Sequence, residues 1–188
     1  HAPVRGLKDI LTAINVIIQC VYEPHYAATG FIANKSVVDN ARIHVGKNYV
    51  YNIDMKNFFH AFDRNRVKMG FMFEPFNLRD QREPLAFLLA SLATHPFEID
   101  GKTQHVLPQG SPASPSLTNL LSIKLDRRLN GLAKRFGAKY SRYADDITFS
   151  CNQNIFRKKE FQTELKRIIE QDQQLKINSD KTRLQKNG

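Results

Sequence analysis

The sequence predicts an α+β fold in which an antiparallel sheet is backed by helices. Three observations support this class. Segments with helical spacing and segments with strand character follow one another without the regular alternation of a doubly wound sheet. Two stretches have the character of hairpins, one turned at Asp100-Gly101 and one within 139–151. The 188 residues, 41% of them hydrophobic, suffice for one compact domain or two small lobes.

The predicted helices carry apolar residues at intervals of three or four. They cover 7–21, 35–44, 85–93, 114–136 and 156–171. The first should end at Glu23-Pro24. In the fourth, Ser114 is a favourable cap, Pro115 is tolerated in the first turn, and Gly137 ends the helix.

The predicted strands are short and rich in β-branched and aromatic residues. They are 49–55, a hairpin over 95–110 followed by an exposed loop, a second hairpin over 139–151, and 175–184 as either a strand pair or a strand and a loop. No internal repeat is visible in the sequence.

The formal net charge of +10 favours a polyanionic partner, of which nucleic acid is the commonest. A basic protein with dispersed lysines is the alternative. Cys20 and Cys151 belong to no metal-binding pattern, which indicates a reducing compartment and no zinc. No apolar run reaches the roughly 18 residues that span a membrane, and no signal peptide is visible. We therefore expect a cytoplasmic protein, and the patterned first residues suggest a piece of a longer one.

Two adjacent carboxylates, Asp145 and Asp146, occupy the turn of the second hairpin in YADD, and Asp54 ends the strand YVYNID. If that strand lies beside the hairpin, three carboxylates meet at one edge of the sheet and repel each other. Two Mg²⁺ ions would relieve the repulsion, because Mg²⁺ prefers oxygen ligands and two such ions can clamp a phosphoryl transfer. An ordinary exposed hairpin turn is the alternative.

Four ordered motifs resemble the catalytic blocks of reverse transcriptases. They are NARIH at 40–44, NIDMKNFF at 52–59, LPQGSPASPSLTN at 107–119 and YADD at 143–146. The first is similar to the NAxxH signature of bacterial retron reverse transcriptases. The resemblance implies the palm of a polymerase right hand with partly helical fingers. It implies fingers over 1–51 and 77–105 and palm over 52–76 and 106–188. The family's thumb, which bears a VTG block, would not be present.

The resemblance also implies the metal ligands. Asp54 and Asp145 match the two aspartates that bind both ions, Asp146 matches the less widely shared ligand, and Met55 would add its backbone carbonyl. Phe59 matches the bulky steric gate beneath the sugar, although it could be an ordinary core aromatic residue.

Further residues are implied to contact the nucleotide or the nucleic acid. Gln109 and Gly110 would contact the incoming nucleotide, unless they belong to a loop without a role. Lys181 would assist pyrophosphate departure, and Arg5 and Lys8 would bind the triphosphate; surface charges are the alternative for all three. The implied nucleic-acid contacts are Asn40, His44 and Tyr143, with local packing as the alternative for His44.

The function implied is that of an RNA-directed DNA polymerase that copies a non-coding RNA into DNA from deoxynucleoside triphosphates. The partners would be RNA template and primer, DNA product and an unidentified effector protein, with no membrane, and the role would be antiviral defence. A palm-type nucleotide cyclase and a catalytically silent nucleic-acid-binding relative are the rival interpretations. The cyclase would lack LPQG, and the silent relative would have no use for intact Asp54, Asp145 and Asp146.

Overall fold

The structure, a computed structural model, describes residues 3–186. The chain folds as two compact units. The first unit contains the chain up to Glu23 together with Phe59–Leu121. The second contains Pro24–Phe58 and the chain from Ser122 onward. The boundaries of these two units differ from those of the predicted fingers and palm. The fingers and palm assignments therefore stay predictions.

The first unit is mainly helical. Its helices are α1 (Arg5–Val21), α3 (Arg64–Met72), α4 (Glu83–Ala93) and α5 (Ser114–Leu121), and its strands are β2 (His95–Ile99) and β3 (Lys102–Val106). The two strands form an antiparallel hairpin. Asp100 and Gly101 both have positive φ, 52° and 72°, as a type I′ turn requires. The predicted hairpin is therefore confirmed at its predicted turn.

The second unit contains a four-stranded antiparallel sheet with the order β4-β5-β1-β6. Its strands are β1 (Tyr49–Lys56), β4 (Lys139–Tyr143), β5 (Asp146–Cys151) and β6 (Lys176–Lys186). Its helices are α2 (Val37–Arg42), α6 (Ile123–Arg135) and α7 (Lys159–Lys166), the last continued by a π-helical turn, Arg167–Asp172. This sheet with its helices is the predicted α+β architecture.

Aromatic side chains form the core between the sheet and α7. Phe149 on β5 lies edge-to-face with Phe161 of α7, at 5.4 Å between ring centroids, and Phe156 packs against both. All three rings are almost fully buried. Because side chains alternate along a strand, residues at odd positions of β1 and β5 face this core, while Asp54 and Asp146 lie on the opposite face.

The structure corrects two of the predicted helices and adds a third that was not predicted. The long helix predicted over 114–136 is interrupted at Ser122, which separates α5 from α6. The continuous leucine stripe concealed the break, because both pieces bury the same kind of residue. Sequence analysis also missed α3, whose first turn is capped by Asp63 accepting a hydrogen bond from the backbone N–H of Arg66 at 2.7 Å. The helix predicted over 35–44 is shorter, since α2 covers only Val37–Arg42.

The final predicted segment is one strand, β6, but it carries a large bulge. Asn178 pairs with Asp54 and Arg183 pairs with Asn52, so four residues of β6 lie opposite the single residue Ile53. The Thr182 hydroxyl closes the bulge by donating to the Asn178 carbonyl at 2.8 Å. Within residues 3–186, none of the helices has both the length and the apolar character needed to cross a membrane.

Replacing Phe161 with Ala should destabilise the protein by about 3–5 kcal/mol, because the change removes a buried ring and leaves a cavity among aromatic neighbours. The measurement is the free energy of unfolding in denaturant. Thr163→Ala is the matched control, since Thr163 is exposed on the same helix. Equal effects of the two substitutions would contradict this description of the core.

Candidate active site

The YADD segment forms the tight turn between β4 and β5. Tyr143 and Asp146 are the last paired residues of the two strands, and Ala144 and Asp145 form the turn itself. Ala144 has a φ of 56°, in the left-handed region that residues other than glycine rarely adopt, whereas Asp145 is not among the residues with positive φ. The turn presents its two carboxylates next to each other at the end of the hairpin.

Asp54 meets this turn through the strand register. It lies directly opposite Asp146 in the pairing of β1 with β5. In such antiparallel pairs the two Cβ atoms are roughly 5 Å apart. The backbone N–H of Met55 donates to the carbonyl of Asp145 at 3.2 Å, which joins β1 to the turn as well as to the strand. The expected juxtaposition of Asp54 with the YADD turn is therefore present.

Two side chains of β6 contact the Asp54 carboxylate. The Asn178 amide donates to Oδ2 at 2.7 Å, and the Lys181 ammonium lies 3.6 Å from Oδ1. Lys181 belongs to the bulge of β6, and its side chain is 68% exposed, whereas that of Asp54 is 15% exposed. A solvent-exposed cation thus lies beside a largely covered anion.

The electrostatic environment disfavours a charged Asp146. Desolvation of its carboxyl group raises the pKa of Asp146 above the ordinary value, although the residue as a whole is exposed. The charges of Asp145 and Asp54 raise that pKa further, and Lys181 lowers it. The three aspartates are therefore close enough to repel one another.

The donor chemistry of this cluster suits a divalent cation, since carboxylate oxygens are the ligands that Mg²⁺ prefers. Among residues 3–186, however, no three His, Cys, Asp or Glu side chains are already arranged to hold a metal ion. The Asp54 carboxylate turns instead towards Asn178 and Lys181. The fold gathers the carboxylates, and their side chains would have to reorient to share an ion.

Five of the residues predicted to bind the nucleotide lie outside the four-stranded sheet and belong to the first unit. Phe59 begins a short 3₁₀ helix, Phe59–Ala61, and is partly exposed. Gln109 and Gly110 are exposed ahead of α5, and Gly110 has a φ of 88°, which favours glycine. Arg5 and Lys8 are exposed in the first turns of α1. Their predicted roles stay predictions.

Asn40 and His44, from the NARIH motif, both make polar contacts within the second unit. The Asn40 side chain accepts a hydrogen bond from the Thr29 hydroxyl at 2.9 Å. The His44 ring lies 2.7 Å from the hydroxyls of both Ser141 and Ser150, and burial lowers its pKa to about 4. These contacts support the local-packing role that was the alternative for His44, while nucleic-acid contact by Asn40, His44 and the half-buried Tyr143 stays a prediction.

Sequence reasoning missed two residues near the carboxylates. Asn178 was not predicted, because its contact with Asp54 depends on the pairing of β1 with β6, which no local sequence pattern indicates. Arg142 is fully buried directly before the turn and forms an ion pair with Asp126 of α6, 2.7 Å away. An arginine within an otherwise buried hairpin strand was the signal that could have revealed it.

The fold and the site together define a nucleic-acid polymerase palm, and comparison with known proteins identifies its family. The family model for reverse transcriptase (RNA-dependent DNA polymerase) matches residues 4–187. The chain therefore belongs to the reverse transcriptase family. Members of this family generally use divalent metal ions.

The curated relatives within that family are retron reverse transcriptases. The chain is 33% identical to the retron Mx65 reverse transcriptase of Myxococcus xanthus, over 100% of the chain and 45% of that protein. It is 44% identical to the retron Mx162 reverse transcriptase of the same organism, over 67% of the chain and 27% of that protein. It is 34% identical to the retron Ec86 reverse transcriptase of Escherichia coli, over 80% of the chain and 43% of that protein. The chain spans less than half the length of these relatives.

Solved telomerase structures share the fold. The chain superposes on apo telomerase from Candida tropicalis with a TM-score of 0.54 and 14% identity, covering 99% of this chain and 41% of that one. For telomerase from Candida albicans, solved with a fragment of telomeric RNA, the TM-score is 0.57 and the identity 12%, covering 96% of this chain and 35% of that one. At this identity the similarity establishes the architecture alone.

The buried His44 should make stability depend on pH. Because its folded pKa of about 4 lies below the ordinary 6.5, its contribution is complete above pH 6.5 and is lost as the pH falls towards 4. The full shift corresponds to about 3 kcal/mol. In His44→Gln, which keeps a hydrogen-bonding side chain, the free energy of unfolding should fall less between pH 7 and pH 4.5. Parallel pH profiles for the two proteins would contradict the burial of a neutral ring.

Proposed function

We propose that the full-length protein is an RNA-directed DNA polymerase of the retron type, which copies a non-coding RNA into DNA. One observation carries the proposal: Asp54 lies opposite Asp146 across β1 and β5, at the YADD turn. Repelling carboxylates in paired positions destabilise a sheet, so their presence favours a function that needs them. Nucleotidyl transfer is such a function, since it gathers negative charge that cations must balance.

The cofactor we propose is Mg²⁺, as two ions. Asp54, Asp145 and Asp146 would hold them, with the backbone carbonyl of Met55 as a further ligand. Bound Mg²⁺ supplies two effects, a lower pKa for the primer hydroxyl and stabilisation of the charge on the transferring phosphoryl group. The raised pKa of Asp146 is consistent with this role, because a nearby cation would favour its charged form.

The chain's own residues would balance charge around the reaction. Lys181 neutralises the Asp54 carboxylate at 3.6 Å and has an exposed, movable side chain. Such an ammonium can leave the aspartate and donate to the departing pyrophosphate. Asn178 would hold Asp54 in place meanwhile, through its hydrogen bond of 2.7 Å.

The nucleotide would be bound by residues that the family resemblance assigns. Arg5 and Lys8 would contact the triphosphate, Gln109 and Gly110 the sugar and base, and Phe59 the face of the sugar at C2′. The first four are exposed, which a contact with a diffusing substrate requires. Within the same resemblance, 1–51 and 77–105 would serve as fingers and 52–76 and 106–188 as palm.

The macromolecular partners we propose are an RNA template and primer and the DNA product, with a cytoplasmic location. The net charge of +10 supports binding to a polyanion. Asn40, His44 and Tyr143 would lie along the nucleic acid. The buried His44 would act indirectly, because its contacts with Ser141 and Ser150 hold the NARIH segment in place. We further propose a separate, unidentified effector protein as a partner and a role in antiviral defence.

The test of the proposal is primer extension on an RNA template by the full-length protein with Mg²⁺ and deoxynucleoside triphosphates. Asp145→Asn should reduce kcat by more than about 100-fold, because outer-shell substitutions at metal sites already cost 10- to 100-fold. Asp100→Asn is the matched control, since it makes the same chemical change in the other hairpin turn and Asn also tolerates that conformation. Wild-type protein that binds RNA without extending the primer would instead identify a catalytically silent relative.

Phe59→Ala in the same enzyme tests the predicted steric gate. Removing the ring should open space for a 2′-hydroxyl and lower the preference for deoxynucleotides by about 10-fold or more. The measurement is kcat/KM for a deoxynucleotide divided by kcat/KM for its ribonucleotide. Phe97→Ala provides a control, because Phe97 is another partly exposed ring of the first unit. Equal loss on both substrates at an unchanged ratio would identify Phe59 as a core residue.

A further inference from the structure

Among residues 3–186, Arg142 is the largest side chain that is completely buried. Its guanidinium makes two parallel hydrogen bonds to the carboxylate of Asp126, from Nε to Oδ1 at 2.8 Å and from Nη2 to Oδ2 at 2.7 Å. The Tyr140 hydroxyl donates to the same carboxylate at 2.7 Å. Asp126, on α6, is itself only 1% exposed. This Arg142–Asp126–Tyr140 network lies on the helix-covered face of the sheet.

Stability alone is a poor explanation for this network. Removing two charges from water costs several kcal/mol, and apolar residues of similar volume often stabilise a fold as well or better. Bidentate geometry does, however, fix the direction of the guanidinium, because both pairs of atoms must align. The network therefore gives Arg142 one defined orientation beneath the hairpin.

That orientation places the third nitrogen of Arg142 on the catalytic turn. Its Nη1 donates to the carbonyl of Ala144 at 3.0 Å, and this carbonyl belongs to the peptide group that joins Ala144 to Asp145. Ala144 has a φ of 56°, a left-handed conformation that costs a non-glycine residue roughly 1–2 kcal/mol. The buried arginine thus holds a strained peptide group immediately before the first carboxylate of the pair.

A second contact restrains the turn from the chain segment before α2. The Arg142 backbone N–H donates to the Ala27 carbonyl at 2.9 Å, and the Arg142 carbonyl accepts from the Thr29 N–H at 2.8 Å. The next residue, Gly30, approaches so closely that a Cβ there would lie 2.4 Å from the Ala144 nitrogen. Any larger side chain at Gly30 would displace the turn.

We infer that Arg142 is a positioning residue, which uses its buried pair with Asp126 to hold the Ala144–Asp145 peptide group and so fixes Asp145 in the turn and Asp146 opposite Asp54. Arg142 lies on the covered side of the sheet, so it acts through the backbone of the turn. The catalytic consequence rests on the proposed polymerase function, while the effect on the turn does not.

The test uses the full-length protein with Arg142→Met, Asp126→Leu and Tyr140→Phe combined, which removes every charge and hydroxyl of the network and keeps its apolar volume. The thermal unfolding midpoint should stay within a few degrees of the wild-type value. Hydrogen exchange of peptides spanning 139–151 should become faster, with exchange in α1 and α7 unchanged. In primer extension kcat should fall by about 10- to 100-fold with little change in the nucleotide KM, as expected for catalytic groups misplaced by up to about 1 Å.

Two single substitutions keep the inference testable if the triple variant does not fold. Arg142→Lys keeps the charge but cannot serve both Asp126 and the Ala144 carbonyl, so it should show a smaller effect of the same kind. Gly30→Ala leaves the network intact and displaces the turn directly, so it should lower kcat as well. Arg128→Met is the control, because Arg128 also lies on α6 but forms a partly exposed ion pair with Asp172.

The inference is overturned if exchange of 139–151 is unchanged in the folded variants, or if their kcat equals that of Arg128→Met. A loss of thermal stability that accounts for the whole loss of activity would also overturn it, because Arg142 would then be a structural residue only. If the wild-type enzyme itself extends no primer, the proposed function fails. The hydrogen-exchange comparison still decides whether Arg142 fixes the turn.

Discussion

The register between β1 and β5 is the constraint on which the site depends. It places Asp54 opposite Asp146, a like-charged pair that opposes the sheet pairing itself. At the adjacent paired position, one residue earlier on β1 and one residue later on β5, Ile53 lies opposite Ile147, and both side chains are almost fully buried. A slip by one residue would expose these side chains and bury the aspartates. The hydrophobic core therefore imposes the proximity of the carboxylates against their mutual repulsion.

The repulsion is moderated by residues of β6 that come last in the chain. The bulge between Asn178 and Arg183 lets Asn178 and Lys181 both reach Asp54. An exposed lysine beside a covered aspartate is a weak, adjustable ion pair, because water screens the ammonium. Such a pair can balance charge in one state of a reaction and release it in another, as the proposed departure of pyrophosphate requires.

The two faces of the sheet hold the YADD turn by different means. On one face, aromatic packing and the network of Arg142 and Asp126 support the hairpin from beneath. On the other, His44 contacts Ser141 and Ser150, so the NARIH motif is fastened to both strands of the hairpin. Fully satisfied buried polar groups specify one arrangement, since each would be costly if left unpaired. Rigidity of the turn is thus distributed over several segments that are distant in sequence.

The sequence by itself determined the class of fold, the two hairpins and the identity of the carboxylates. Local signals were sufficient there, because Asp100-Gly101 encodes its own turn and the motif around YADD is contiguous. The break at Ser122 escaped detection, since a leucine stripe has the same period on either side of it. Only the tertiary structure could decide the contacts of Asn178 with Asp54, of His44 with Ser141 and of Arg142 with Asp126. Each of them joins side chains from separate segments, and their pairing follows from strand register and helix docking that no local pattern encodes.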